Sequence, residues 1–376
     1  MKPFKIFFSG FLVGILILAN VNLYFLKPKE DVSDKLGDIV DTLKSDYYKE
    51  FDEDAFMEYM YESGVAFFSD EDTFNDPYTV YFPSDDYNSY KQALSDKYVG
   101  IGLTVKELVV QDTYADSPAQ KAGFITGDIL KTLDDVTLVD DEDFVLKIRA
   151  YETEQSFKIG FERDGKSMSY TLKKEEVKIE NIHVDPEQEE TANIPESIGY
   201  ISMDQFSQSS FRDLKEQLEG IYKDKKGIIL DLRGNPGGYL SEAEKIGTYL
   251  LPEGDTIYFE ENREDLREVK AAGEGFNKPI VVIIDGYSAS ASELLAAALK
   301  ENKMATVVGT NSYGKGVMQS TVQFDDGSGL KYTSAVWLTP NKNNINGIGV
   351  APDYTEEDHF KQLEKAISVL EEKIDE

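Results

Sequence analysis

Residues 279–300 read PIVVIIDGYSASASELLAAALK, and this stretch combines a strand, a turn and a helix. The apolar run at 279–284 is typical of a strand that is covered on both faces. The run rich in alanine and leucine at 291–300 favours a helix. A second apolar strand is predicted from GIILDL at 227–232, and helical stretches accompany both strands. Because buried strands alternate with helices, the chain from residue 198 onward is predicted to form an α/β domain.

A β-rich domain is predicted to precede this α/β part. Short β-like runs separated by turn signals fill residues 98–175, and the pair Asp164 and Gly165 is a hairpin signal. Residues 176–197 are polar and acidic with two prolines, so they are predicted to be a linker or a long exposed connection. Residues 31–95 carry apolar residues at helical spacing and are predicted to be mainly helical, with an extended run at 78–82.

The composition excludes several classes of protein. The chain has 376 residues, a formal net charge of −32 and a hydrophobic share of 41%. That share is enough for real cores, while the acidity excludes a general nucleic-acid binder, because a polyanion would be repelled. The absence of cysteine excludes disulfides, thiolate metal sites and cysteine nucleophiles. Histidine occurs only as His183 and His359, so a multi-histidine metal site is not expected.

The N-terminus has the pattern of a membrane segment. Residues 7–26 read FFSGFLVGILILANVNLYFL and carry no charge, and about 20 helical residues span a hydrocarbon core of about 30 Å. A cleaved signal peptide is the alternative, but no clear A-x-A site follows. Residues 1–27 are therefore predicted to be a membrane anchor or a signal segment, with the uncleaved anchor favoured. The remainder is predicted to lie in the cell envelope, or to be secreted if the segment is cleaved.

The motif DGYSASASE at 285–293 places Ser290 at a turn between the predicted strand and helix. A serine in that position lies at the positive end of a helix dipole, where a developing oxyanion is stabilised. Ser290 with Glu293 also matches the S-x-x-E capping box, which needs no catalysis. The spacing alone favours capping over catalysis.

The motif DLRGNPGG at 231–238 follows a buried strand directly. Its consecutive glycines, Gly237 and Gly238, let backbone N–H groups approach a ligand closely, as an oxyanion hole or an anion nest requires. A tight turn between a strand and a helix explains the same residues without chemistry.

The motif GTNSYGKG at 309–316 satisfies G-x-x-x-x-G-K, but Gly316 stands where a P-loop needs serine or threonine. A nucleotide hydrolase is thus an alternative, although the strand-like run at 317–324 disfavours it. Lys315 is also a candidate base for a serine nucleophile, because neither histidine has a suitable setting. A lysine titrates near 10.4 in water, so burial or a neighbouring cation must lower its pKa for that role.

Together these motifs resemble the carboxyl-terminal processing proteases, the serine peptidase family that includes tail-specific protease and the D1-processing protease. The matching pieces are DPYTVYF at 76–82, YVGIGL at 98–103, SPAQKAGFITGDIL at 117–130, DLRGNPGG at 231–238, SASASE at 288–293, GTNSYGKGVMQ at 309–319, WLTP at 337–340 and GIGVAPD at 347–353. The resemblance implies a crotonase/ClpP-like α/β core at 198–376 with an inserted β-rich PDZ domain at 98–175 and an N-terminal helical region.

The resemblance also implies the catalytic residues, and the separation of Ser290 and Lys315 by 25 residues is the one that the family shows. Ser290 would be the nucleophile, Lys315 its general base and Gln319 the residue that holds the lysine amine. The oxyanion hole would consist of the Ala291 N–H and the N–H of one of the two glycines, Gly237 or Gly238. No metal and no organic cofactor is implied.

For the PDZ domain, the resemblance implies a loop that binds the free carboxylate of a substrate, formed by Gly100, Ile101, Gly102 and Leu103. The expected partners are polypeptides with free C-termini and the membrane, but no nucleic acid, and a homodimer is a further option. The alternative in another functional class is a noncatalytic PDZ-type scaffold or binding protein on the same fold.

Overall fold

The computed structural model describes residues 32–184 and 193–376, and it divides the chain into one unit that ends at Asn75 and another that begins at Asp76. The predicted membrane or signal segment at 1–27 lies outside the described residues. Within the described ranges, no helix combines the length and the apolar character that crossing a bilayer requires.

The first unit contains helices α1 (Val32–Asp46) and α2 (Glu53–Ala66). The Asp52 side chain starts α2 by accepting a hydrogen bond from the Ala55 N–H, which satisfies one of the unpaired amides at a helix start. Three aromatic rings, those of Phe67, Phe68 and Phe74, pack against one another after the helix. The expectation of an N-terminal helical region is confirmed.

The β-rich domain is built from eight strands and two helices. Its strands are β2 (Lys97–Gly100), β3 (Leu103–Lys106), β4 (Val109–Thr113), β5 (Ile129–Leu133), β6 (Val136–Thr137), β7 (Phe157–Arg163), β8 (Lys166–Leu172) and β9 (Glu175–Lys178), and its helices are α4 (Pro118–Ala122) and α5 (Asp141–Ala150). One sheet has the order β3-β4-β5-β7-β8 with β6 beside β5, and β2 pairs with β9. Strands β2 and β3 are separate, because Gly102 turns the chain between them with a φ of +74°.

The α/β core carries the remaining elements. These are β1 (Val80–Phe82), α3 (Ser84–Ala93), β10 (Ile182–His183), β11 (Ile198–Met203), α6 (Ser210–Glu219), β12 (Gly227–Asp231), α7 (Leu240–Leu250), β13 (Thr256–Glu261), β14 (Leu266–Lys270), β15 (Ile280–Ile284), α8 (Ala291–Glu301), β16 (Ala305–Gly309), β17 (Val317–Gln323), β18 (Gly329–Leu338), β19 (Tyr354–Thr355) and α9 (His359–Asp375). One sheet has the order β10-β11-β12-β15-β16-β19, and its strands from β11 to β19 are parallel. The other has the order β1-β18-β13-β14, with β17 also paired to β18.

The two central strands of the parallel sheet are buried on both faces. In β15, Val282 and Ile284 belong to the apolar cluster that contains α8, while Val281 and Ile283 belong to the cluster that contains α9. Alternate side chains of one strand therefore enter two different cores, which is why the sequence shows an unbroken apolar run. The α/β prediction for this part of the chain is confirmed.

The segment before the PDZ domain belongs to the core. Strand β1 pairs antiparallel with β18, with Val80 opposite Lys331 and Phe82 opposite Gly329. The chain then passes through α3, runs through the β-rich domain and returns to the core at β10. The β-rich domain is thus an insertion within the core, as the resemblance implied for a PDZ domain.

The stretch predicted to be a linker at 176–197 differs from that expectation. Val177 in β9 is buried and pairs with Tyr98 of β2, while β10 pairs antiparallel with β11. The acidic composition hid these strands, because each is only two to four residues long and has few apolar positions. Within this stretch, residues 185–192 lie outside the described residues.

Candidate active site

Ser290 lies at the junction of β15 and α8, where the parallel sheet meets the start of a helix. It has a φ of +56°, which is uncommon for a residue other than glycine, and it is 6% exposed. The preceding turn is held by the Asp285 carboxylate, which accepts hydrogen bonds from Tyr287 and Ser288 N–H and from the Gly234 N–H. The turn therefore presents a serine hydroxyl at the positive end of α8.

Glu293 connects the serine turn to the lysine loop. Its buried carboxylate accepts hydrogen bonds from the backbone N–H groups of Ser290 (2.8 Å), Gly314 (2.6 Å) and Lys315 (2.8 Å) and from the Ser312 hydroxyl. Capping and catalysis are thus not competing explanations of the motif, because the residue that caps α8 also positions Lys315. The sequence indicated only the cap, since the other three contacts join residues 19 to 22 positions apart.

Lys315 is half-buried, and its ammonium nitrogen lies 4.6 Å from the centroid of the Tyr78 ring. Burial and the positive charge of Lys331 lower the pKa of Lys315, while Glu293 opposes them with a smaller effect. Burial, together with the neighbouring Tyr313, raises the pKa of Tyr78 to about 12, so the ring stays an uncharged phenol at neutral pH. The motif at 76–82 gave no function for Tyr78. The structure places its ring next to Lys315, the candidate base.

Gln319 follows a bulge in β17, where the register with β18 shifts between residues 318 and 319. Its amide nitrogen is buried and has no hydrogen-bond partner among the described residues. Ser290, Lys315 and Gln319 line one cavity of about 530 Å³ together with Gly237 and Gly238. Within 32–184 and 193–376, no hydrogen bond joins Ser290 to Lys315 or Lys315 to Gln319, so their catalytic roles stay predictions.

The glycine loop lies directly beside Ser290. A Cβ atom on Gly237 would come within 2.9 Å of the Ser290 Cβ and 3.0 Å of the Ala291 nitrogen. The Gly237 N–H donates to the Asn235 side chain, and the Gly237 carbonyl accepts from the Phe206 N–H. Since the carbonyl and the N–H of one peptide group point in opposite directions, the Gly238 N–H points away from Phe206. This geometry favours Gly238 over Gly237 as a hydrogen-bond donor for a ligand.

A buried ion pair braces this loop from behind. Asp231, at the end of β12, pairs with Arg233 and accepts a hydrogen bond from the Tyr200 hydroxyl at 2.9 Å. Arg233 also donates to the carbonyl of His359 at 3.0 Å, which ties the loop to the start of α9. The sequence of residues 231–233 indicates only a turn, because the contacts of Asp231 with Tyr200 and of Arg233 with His359 join distant parts of the chain.

The structure argues against the P-loop alternative. The N–H groups that would have to hold a phosphate are already engaged, because Gly314 and Lys315 donate to Glu293 and Gly316 donates to Asn346. Strand β17, rather than a helix, follows Gly316. The loop is therefore built around a protein carboxylate.

A second cavity, of about 740 Å³, lies along the β-rich domain. Gly100, Ile101 and Leu103 line it, as do Val145 and Arg149 of α5. Gly102 is not among its lining residues, and its predicted part in binding a substrate carboxylate stays a prediction. A Cβ on Gly102 would come within 2.2 Å of the Ser117 Cβ, so this glycine closes the loop onto the start of α4.

Comparisons with known proteins agree with these features. A family model described as peptidase family S41 matches residues 197–356, and one described as a PDZ domain matches residues 85–173. A probable CtpA-like serine protease of Staphylococcus haemolyticus (strain JCSC1435) is 30% identical over 322 residues, which are 83% of this chain and 62% of that protein. The carboxy-terminal processing protease CtpB of Bacillus subtilis (strain 168) is 31% identical over 335 residues, which are 86% of this chain and 68% of that protein.

Two solved structures are among those that resemble this chain. A putative S41 protease from Bacteroides fragilis NCTC 9343 has a TM-score of 0.50 and 14% identity, covering 87% of this chain and 91% of that one, which supports the fold alone. A photosystem II D1 C-terminal processing protease has a TM-score of 0.48 and 25% identity, covering 79% of this chain and 83% of that one. The chain spans less than two thirds of the length of the staphylococcal relatives that it matches. Because the Bacillus subtilis relative is 31% identical and this chain covers 68% of it, the chain belongs to peptidase family S41 and carries a PDZ domain, in agreement with the prediction from its motifs.

Proposed function

We propose that this protein is a serine endopeptidase that recognises protein C-termini through its PDZ domain and cleaves with Ser290 and Lys315. One observation carries the proposal: Ser290, Lys315, Gln319 and the two loop glycines line a single cavity at the positive end of α8. The family membership supports the same reaction class.

In the proposed mechanism, uncharged Lys315 accepts the Ser290 hydroxyl proton while Oγ attacks a peptide carbonyl. The oxyanion that forms accepts hydrogen bonds from the N–H groups of Ala291 and Gly238. Protonated Lys315 then gives its proton to the leaving amine, and the C–N bond breaks. A water molecule then attacks the acyl-enzyme while Lys315 accepts its proton, and Lys315 returns that proton to the Ser290 oxygen as the ester bond breaks. The Gln319 amide holds the lysine amine in position throughout.

The reaction requires Lys315 to leave the Tyr78 ring and approach Ser290. A ligand can favour the state with Lys315 near Ser290 only if the ligand binds that state more tightly than the state with Lys315 over the Tyr78 ring. Peptide bound at the PDZ domain is proposed to supply this difference, because the domain is inserted between β1 and β10 of the core. The segment that carries Tyr78 leads directly into the insertion, which supports such a coupling.

A serine-reactive fluorophosphonate probe tests the enzyme against the noncatalytic scaffold. The wild-type protein should be labelled at Ser290 in the presence of substrate peptide, and Ser290→Ala should not be labelled. Ser292→Ala is the matched control in the same motif, since Ser292 is buried and donates to the Asn235 carbonyl. Absence of labelling, together with absence of cleavage of unfolded polypeptides, would favour the scaffold.

The pH dependence of cleavage should follow Lys315. Because burial and Lys331 lower the pKa of Lys315, kcat/KM should rise with pH through a midpoint below 10.5. Lys331→Met removes the neighbouring cation, so it should raise that midpoint and reduce activity near neutral pH more than on the alkaline plateau. The measurement is kcat/KM for one uncharged peptide between pH 6 and 11. An unchanged midpoint in the variant would contradict the coupling of the two lysines.

Capture of the substrate C-terminus is proposed to occur in the cavity along the β-rich domain. Val145 is 44% exposed and lines that cavity, so Val145→Glu should weaken binding of a peptide with an apolar C-terminus by about 10-fold or more. Fluorescence anisotropy of a labelled peptide measures the change. Val139→Glu is the matched control, because Val139 is 77% exposed and does not line the cavity. Equal weakening by both changes would contradict the assigned groove.

The cellular setting and the assembly are further proposals. The uncharged run at 7–26 supports a membrane-attached protein that processes or degrades exported polypeptides. Cell fractionation shows whether the protein is attached to the membrane. Protease added outside an intact cytoplasmic membrane should degrade the protein if it is exported. Equilibrium sedimentation tests the homodimer.

A further inference from the structure

We propose that Lys331, assisted by Lys91, binds a substrate carboxylate close to the scissile bond, so that the cavity prefers peptides with an acidic group there. This inference rests on the proposed peptidase function and specifies its substrate class. It does not involve the PDZ cavity.

The catalytic cavity has the opposite charge to the chain as a whole. Three lysines, Lys91, Lys315 and Lys331, line it, and none of its described lining residues is an aspartate or a glutamate. The formal net charge of the whole chain is −32. The proposed role of Lys315 as the base explains only one of these three lysines. The other two, Lys91 and Lys331, need a separate explanation.

Lys331 lies beside the stacked rings of Phe82 and Tyr90 at one side of the cavity. It lies on β18 between Val80 of β1 and Thr321 of β17, with its nitrogen 5.4 Å from the Phe82 ring centroid and 5.1 Å from that of Tyr90. Burial lowers the pKa of Lys331, with a smaller opposing effect of Asp76. Aromatic faces attract the ammonium but do not replace the hydrogen bonds that water made to it.

No protein carboxylate in the described parts of the chain forms an ion pair with Lys331. Asp76, the carboxylate that acts on the Lys331 pKa, accepts hydrogen bonds from other donors, namely the Tyr78 N–H and the hydroxyls of Thr79 and Thr333. Glu293, close to the other lysine, accepts its four hydrogen bonds from the serine turn and the lysine loop. A partly desolvated ammonium that faces a cavity and has no counter-ion is a site for a carboxylate brought by the substrate.

Lys91 adds a second positive charge on helix α3. Its nitrogen lies 4.8 Å from the Tyr87 ring centroid and donates to the Gln323 side chain at 3.3 Å. Within the described residues it too forms no ion pair with a carboxylate. Because Lys91 is more exposed than Lys331, it contributes through long-range attraction more than through a fixed contact.

The site should accept one acidic group rather than an acidic tract. At close range the two lysines attract a carboxylate, whereas the net charge of the chain repels a polyanion at longer range. The preference should therefore be greatest for a peptide with one glutamate and should fall when several acidic residues follow one another.

The test compares kcat/KM for peptides that differ only by glutamate or glutamine, with the substituted position moved stepwise along four residues on each side of the scissile bond. At one position we expect the glutamate peptide to be cleaved about 10-fold better at low salt, and less so at high salt. In Lys331→Met this ratio should approach one. In Lys365→Met the ratio should persist, since Lys365 is on α9, where its ammonium lies over the Tyr354 ring and outside the cavity.

The ratio of kcat/KM for the glutamate and glutamine peptides is taken within one enzyme. It therefore does not depend on the effect of Lys331 on the Lys315 pKa, because the same Lys315 acts on both peptides. Lys331→Glu gives a second readout, since it should reverse the preference toward a peptide with lysine at that position. A further pair of peptides has a free or an amidated C-terminus near the scissile bond. If kcat/KM is higher for the free C-terminus in the wild type and equal for both peptides in Lys331→Met, Lys331 binds a terminal carboxylate as well as a side chain.

Equal rates for glutamate and glutamine peptides at every position would overturn this inference and leave the peptidase function intact. A ratio that persists in Lys331→Met would also overturn it. Failure to cleave any peptide would overturn the proposed function itself, so the two failures are distinguishable.

Discussion

Replacing Ser290 by alanine or Lys315 by methionine is expected to lower kcat/KM for peptide cleavage by on the order of 10⁴- to 10⁶-fold. The nucleophile and its base act as one unit, because the serine hydroxyl is a poor nucleophile without proton removal. The double variant should therefore be no slower than either single one. Rates of release from an internally quenched peptide, measured at high enzyme concentration, provide the comparison.

Folding and peptide capture are the controls for this experiment. The Lys315 side chain makes no hydrogen bond in the described structure, while its backbone carbonyl accepts one from the Trp337 indole at 3.1 Å, which methionine preserves. The variants should unfold at the same temperature as the wild type and bind a C-terminal peptide equally. A Lys315→Met protein with more than a tenth of the original activity would refute the proposed base.

Changing Glu293 to glutamine should reduce both stability and activity. The carboxylate accepts four hydrogen bonds and is fully buried, whereas a glutamine amide must point its NH₂ group at two of those donors. We expect a loss of roughly 2–4 kcal/mol in the free energy of unfolding, as for other buried charged acceptors. We expect kcat/KM to fall by about 10²-fold or more, because the serine turn and the lysine loop lose their common anchor.

Glu301→Gln is the matched control, since Glu301 ends the same helix and accepts bonds from Asn341 and Asn343 near the surface. It should change the free energy of unfolding by less than about 1 kcal/mol. Denaturant unfolding and peptide cleavage are measured on both variants. If Glu293→Gln lost stability but kept its catalytic rate, Glu293 would be a helix cap without a role in positioning Lys315.

The sequence predicted the parts of the fold whose signal is local and long. The strand and helix at 279–300 could be recognised because an unbroken apolar run is needed for burial on two faces. Helix α4 has local signals of the same kind, since Ser117 caps its start, Pro118 is its first residue and Gly123 ends it with a φ of +98°. The candidate Ser290 and Lys315 followed from the order of several motifs rather than from any single one.

The remaining features depend on contacts between distant parts of the chain, which no local pattern encodes. The contact of Tyr78 with Lys315 is one example, and the pairing of Val177 with Tyr98 is another. The motif around Gly102 predicts a carboxylate-binding loop, and it gives no sign that Ser117 occupies the space beside this glycine. A motif thus indicated which residues are needed, but only the packing showed what each one contacts.

The pairing of β1 with β18 has a consequence for how the enzyme can be dissected. The strand that begins at Val80 supplies an edge of a catalytic sheet, and the tyrosine two positions earlier touches the candidate base. A shortened protein that starts at the PDZ domain would therefore expose the backbone of Leu330 and Lys331 and lose the tyrosine together with its strand. A fragment designed to cut peptides therefore has to begin at or before Asp76, because the domain that bears the serine starts there and is interrupted by the PDZ insertion.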